Sequence, residues 1–162
     1  MSWTTVVLFL HILLGVLAFG PALVAFAFLG QMGGKEPMHA NFALRVIHAI
    51  SSKVTIPLAV ALPILGVILI LLNDWNFFAS EWLWIASIIY ALNFSFALFV
   101  QSRRVGQLIG LTSQPPPAGE QGPPANLLAI VKKVRMGGVF LSVNFVVMLL
   151  LMVWKPGGVH TG

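Results

Sequence analysis

Residues 54–72 read VTIPLAVALPILGVILILL, nineteen positions with one hydroxyl, two prolines and no charge. At ~1.5 Å of rise per residue, a helix of this length crosses most of the ~30 Å hydrocarbon core of a bilayer. Lipid offers no partner to a bare backbone N–H or C=O, so a run of this kind has to be helical there. Three further apolar runs of near-membrane length lie at 3–29, about 82–100 and 137–154, and the four together make up most of the 162 residues. A soluble domain of this size has too little volume to hide four all-apolar helices behind a polar shell. Composition agrees, with 59% apolar residues, 8% charged residues and a mean hydropathy of +0.97. The expected fold is all-α: a polytopic membrane protein, an antiparallel bundle of four transmembrane helices forming one domain over residues 1–162.

The expected helices are about 3–29, 41–72, 82–108 and 126–154. The first run mimics a signal peptide, but it has no basic residue before it and is too long for a signal core, so it reads as a retained helix. Residues 31–37 supply a turn through Gly33 and Gly34. Pro57 and Pro63 each remove a backbone donor from the second helix, which predicts a kink near residues 53–59. Trp82 and Trp84 read as interfacial anchors at the start of the third. Residues 112–125 hold five prolines, three of them adjacent, so the stretch at about 110–125 is expected to be an extended exposed loop. Lys155-Pro156-Gly157-Gly158 ends the last helix.

The charges give the chain a direction. Lys35, Arg45, Lys53, Arg103, Arg104, Lys132, Lys133 and Arg135 fall on one side of the spans and Lys155 alone on the other. The positive-inside rule then places both termini extracytoplasmic and the Pro-rich loop cytoplasmic, in a multi-pass protein of the bacterial inner (plasma) membrane. The calculated pI of about 10.3 therefore reflects topology and not nucleic-acid binding. The inner basic rim, Arg45, Lys53, Arg103, Arg104, Lys132, Lys133 and Arg135, is suited to anionic lipid headgroups.

Polar groups inside the spans are costly in hydrocarbon and point to the bundle interior. His11 shares a helical stripe with Gly15, Ala18, Ala22 and Ala25, along which another helix can approach closely. Such an imidazole serves either as a hydrogen-bonding group between helices, the commoner role, or as an axial ligand to haem iron, with haem b the candidate cofactor. His48 lies on a second stripe with Arg45, Ser52, Thr55, Ala59 and Gly66. Antiparallel packing puts the two histidines roughly 20–30 Å apart, too far to share one iron. Asn93 and Asn144 fall near the middle of the third and fourth spans at matching depth, where an amide needs a partner, and they are expected to pair across the helices. Tyr90 shares a face with Asn93 and Gln101, which suits a small lipid or quinone pocket. No cysteine is present, and the four carboxylates, Glu36, Asp74, Glu81 and Glu120, lie in loops. No acid and base pair, phosphate loop or metal set is assembled from these residues, so no catalytic residue and no metal ligand is expected.

Leu10-His11 with its small-residue stripe, Thr55-Ile56-Pro57 with the later Gly66, and the closing Leu151-Met152-Val153-Trp154-Lys155-Pro156 resemble an uncharacterised bacterial family of predicted four-helix integral membrane proteins. The resemblance covers nearly the whole chain and implies a four-helix membrane domain with no established activity. A more distant similarity is to HemJ-type protoporphyrinogen oxidases and the copper-resistance D membrane domain, where His11 matches a first-helix His. The HemJ pattern adds a Lys in the third helix, and this chain has none there. The functional expectation is a non-catalytic accessory or structural subunit of a larger membrane complex, with other membrane subunits as partners. Haem binding through His11 is the alternative, and lipid or quinone binding between helices a third.

Overall fold

The computed structural model describes residues 2–32, 37–113 and 125–160. Its elements in chain order are α1 (Trp3–Met32), α2 (Pro37–Ile50), a π-helical segment (Ser51–Thr55), α3 (Ile56–Leu72), α4 (Glu81–Ser95), a second π-helical segment (Phe96–Gln101), α5 (Ser102–Thr112) and α6 (Ala125–Trp154). The π segments join α2 to α3 and α4 to α5 without a break, so the chain forms four rods. Each contains a stretch long and apolar enough to span a membrane: Trp3–Pro21, Ala40–Leu72, Glu81–Thr112 and Ala125–Trp154. An all-α four-helix membrane bundle is the architecture.

Local chemistry moves several boundaries away from the sequence expectation. α1 continues to Met32, and residues 33–36, with Gly33, Gly34, Lys35 and Glu36, lie outside the described residues. α2 starts at Pro37 and not near 41, because proline suits a first helical position whose N–H would be orphaned anyway. The third rod runs to Thr112 and not 108. Its last turn is held by the Thr112 hydroxyl donating to the Leu108 carbonyl at 2.7 Å and by Asn41 of α2, whose Nδ2 donates to the Ile109 carbonyl at 3.1 Å. Most of the Pro-rich loop, residues 114–124, falls outside the described residues.

The break expected from Pro57 takes the form of the first π segment. Proline has no N–H to return to the preceding turn, and the chain widens to an i to i−5 pattern, with the Ile56 N–H on the Ser51 carbonyl. Ser52 Oγ donates to the His48 carbonyl at 2.8 Å in the same turn. The second π segment, closed by the Ser102 N–H on the Ala97 carbonyl, has no proline near it and no counterpart in the sequence reading.

α1 packs on α3, α2 on α5 and α4 on α6, with α5 also against α6 and α1 touching α2 and α6. Leu44, Val105, Leu108 and Val134 form a buried apolar cluster, backed by Ile109, Leu127 and Ile130, at the end of the bundle remote from the termini. Apolar burial drives little association between helices already in lipid, so close packing and inter-helix hydrogen bonds carry the cohesion. The lipid-facing side is plain on α3, where Val60, Ile64, Val67 and Leu71 recur at helical spacing and are each more than half exposed.

At the opposite end, residues 155–160 fold back over the connection between α3 and α4. Asn76 N–H donates to the His160 carbonyl at 2.7 Å, His160 N–H to Ser80 Oγ at 3.3 Å, and Trp82 Nε1 to the Gly158 carbonyl at 3.1 Å. Gly157 and Gly158 adopt φ of 83° and 80°, which makes this reversal a glycine turn. Trp82 is thus only 3% exposed, held inside the clasp; Trp84, 37% exposed, keeps an outward position.

Candidate functional site

Three of the four spans turn polar side chains toward one shared space, and both π segments border it. A cavity of about 140 Å³ lies there, lined by all four rods. Phe19 comes from α1, Ser51, Thr55 and Ala59 from the second rod, Tyr90, Asn93, Phe94, Ala97 and Gln101 from the third, and Gly138, Ser142, Phe145 and Met148 from α6. A π segment adds a residue to a turn and pushes the neighbouring backbone outward, which is why such segments gather at functional sites. Here each π segment contributes its last residue, Thr55 and Gln101, to the wall.

The sequence face that joined Tyr90, Asn93 and Gln101 survives intact, since all three line the cavity. Tyr90 OH donates to the Ala59 carbonyl and so ties α4 to α3. Gln101 is 4% exposed and spans the gap to α6, its Nε2 on the Val134 carbonyl at 2.8 Å. Asn93 is half-buried on the cavity wall and its side chain makes no hydrogen bond among the described residues, while two further atoms of that wall, Thr55 Oγ1 and Gln101 Oε1, are buried without a partner.

The expected pair of Asn93 with Asn144 does not form. Asn144 Nδ2 donates at 2.9 Å to the carbonyl of Phe140 in its own helix. An asparagine can satisfy itself on the i−4 carbonyl, which removes the need for a partner across the bundle. Asn144 is absent from the cavity wall, whereas Met148, one turn on, is part of it.

His11 takes a different place. Its ring packs against Gly66 of α3, so that a Cβ there would lie 3.5 Å from Cε1, and Gly15 meets Leu62 one turn away. The stripe therefore does admit α3 closely at His11 and Gly15, and Ala18 is fully buried; the Ala22 and Ala25 side chains lie outside the described residues. Nδ1 of His11 is buried without a hydrogen-bond partner. The ring does not line the cavity, and the cavity is close in size to the ~150 Å³ voids that hold one benzene, far short of a four-ring macrocycle. These residues do not fit haem. His48 is exposed at the edge of the cavity and is not brought near His11. No group of three or more His, Cys, Asp or Glu side chains gathers among the described residues.

The basic residues divide by role. Arg45 Nε donates to Asn41 Oδ1 at 2.8 Å and its Nη2 to Ser113 Oγ at 3.0 Å, joining α2 to the end of α5. Arg104 lies over the Phe96 ring at 5.9 Å. Lys53, Arg103, Lys132, Lys133 and Arg135 are exposed.

Sequence reasoning missed Ser51, Ser142 and the Gly137-Gly138 pair. The glycines carried the only available signal, as two adjacent small residues on a membrane helix mark a close approach. No curated protein and no solved structure matches the chain. The family described as predicted integral membrane protein (DUF2269) matches residues 5–156, and the chain belongs to it.

Proposed function

We propose that this DUF2269 protein binds a small neutral apolar molecule inside the bilayer, in the cavity between its four spans, and carries out no chemistry on it. The observation that carries this reading is the Asn93 amide, which lines a ring-sized apolar cavity and has no partner among the described residues. A polar group in an apolar wall costs free energy until a partner meets it, and Asn93 shares this wall with the buried, unpartnered Thr55 Oγ1 and Gln101 Oε1, so an occupant with a hydrogen-bonding group gains directly from the site. Within the lipid or quinone class of ligand it is a single-ring headgroup that fits this description, and Asn144 is no part of the site.

Organic extraction of the purified protein and mass spectrometry test the reading. A neutral molecule is expected from the wild type and not from Ala97→Phe, which fills the cavity. Extracts that do not differ between the two proteins overturn it.

A role as an accessory subunit is supported by a separate observation. Phe42 and Phe78 are 70% and 86% exposed at opposite ends of the bundle, in α2 and in the connection before α4. Phe78 stands outside the apolar spans and Phe42 at the very start of the second, and open aromatic rings at the ends of the bundle are suited to a membrane partner. Purification in mild detergent is expected to retain a second membrane protein that Phe42→Ser or Phe78→Ser releases; a lone monomer refutes this role. The orientation follows from the basic end of the bundle, with both termini extracytoplasmic in a bacterial plasma membrane and anionic headgroups against Lys53, Arg103, Lys132, Lys133 and Arg135.

A further inference from the structure

We infer that the occupant of the cavity is a hydroxyl-bearing single-ring amphiphile, a phenol or hydroquinol in chemical class, with its hydroxyl on Asn93; this rests on the cavity being a binding site. Size is the first argument. About 140 Å³ is room for one six-membered ring and not for a fused or macrocyclic system. The wall is the second: Phe19, Phe94 and Phe145 supply aromatic rings, and no Lys, Arg, Asp or Glu among the described residues lines the space, so a charged head would be desolvated without compensation.

Hydrogen-bond arithmetic decides between ring classes. An amide presents both a donor, Nδ2, and an acceptor, Oδ1, and in Asn93 neither has a protein partner among the described residues. A hydroxyl donates and accepts, and so answers either end of the amide or both. A quinone carbonyl only accepts, which leaves Oδ1 unmet in hydrocarbon at a cost. The cavity is also graded along its length. His48, Ser51 and Ser102 stand toward the basic end and Phe19, Phe145 and Met148 toward mid-membrane, which orients a polar group one way and an alkyl tail the other.

The test uses the full chain in detergent and two probes of equal shape and a size that suits one ring, para-ethylphenol and para-ethyltoluene, in which a methyl replaces the hydroxyl. Calorimetry is expected to give the phenol about a tenfold lower Kd, the scale of one buried hydrogen bond. That ratio is expected to fall to about one in Asn93→Leu, a variant whose folding is checked by its helical circular dichroism and melting. If Asn93→Leu does not fold, Asn93→Ala takes its place, and the probe ratio in the unaltered protein stands by itself. Equal affinity for the two probes in the wild type overturns the hydroxyl-ring inference while leaving the cavity a binding site. Failure of both probes to bind overturns the binding reading and this inference with it.

Discussion

Gln101 lies across Gly137, its side-chain amide donating to the Val134 carbonyl while its own oxygen fills the space where a Cβ of Gly137 would stand. Two adjacent spans are therefore joined at one point by a buried polar side chain, whose amide end has to shift before position 137 can carry a side chain. Gln101 ends a π segment and lines the cavity, so the same contact sets the cavity wall.

Gly137→Ala is expected to destabilise the bundle by about 1–3 kcal/mol, the usual cost of forcing an extra methyl into a packed contact. Gly106→Ala is the control. Nothing lies within 4 Å of its added carbon, and the helix gains about 0.5–1 kcal/mol from losing a glycine. Unfolding titrations in denaturing detergent compare the two, and equal midpoints for both variants would show that the Gln101 contact is unimportant.

Asn93 and Asn144 should behave independently. Asn144→Leu removes a bond within its own helix and is expected to change stability by less than about 1 kcal/mol. Asn93→Leu is expected to leave stability unchanged or raised, because it removes an unpartnered amide from an apolar wall. The double variant should equal the sum of the singles within ~0.5 kcal/mol, and a larger coupling energy in that cycle would restore a direct pair.

Tyr90→Phe keeps the ring and deletes the hydroxyl that reaches the Ala59 carbonyl, the contact tying α4 to α3. A loss of about 0.6–2 kcal/mol is expected, the range for inter-helix hydrogen bonds in membranes. The same denaturing-detergent titration measures it; wild-type stability in the variant would mean the contact contributes nothing.

Lys155 sits with Nζ 4.9 Å from the Trp75 ring centre and 5.6 Å from that of Trp82, at the clasp formed by the C-terminal segment. Lys155→Met keeps the stem and removes the charge, with an expected loss of about 0.5–1 kcal/mol. Tryptophan emission should shift to the red as Trp82 becomes wetter. An unshifted spectrum together with unchanged stability would mean the clasp does not depend on the cation.

His11 is expected to give no Soret band when the purified protein is supplemented with haem, since its ring is packed on Gly66 away from the cavity. A band that disappears in His11→Ala would reverse that conclusion. Gly66→Leu is expected to cost about 1–3 kcal/mol by displacing the imidazole. Gly66→Ala is expected to be tolerated, because its carbon would meet the ring at ordinary contact distance.

The sequence alone determined the class, the number of spans and the stripes along which they meet. Those properties follow from length, hydropathy and helical period, which are local and need no neighbour. The face shared by Tyr90, Asn93 and Gln101 was legible for the same reason. Partner choice was not: Asn144 turned to its own Phe140 carbonyl, Trp82 was drawn into the C-terminal clasp, and a π segment opened at Phe96–Gln101 with no proline to announce it. A polar group in lipid must be satisfied, but several acceptors at similar cost compete for it, and only the packed arrangement of the four rods selects among them. The cavity belongs to that arrangement, because it is the space four helices leave when two of them widen by a residue at the same depth.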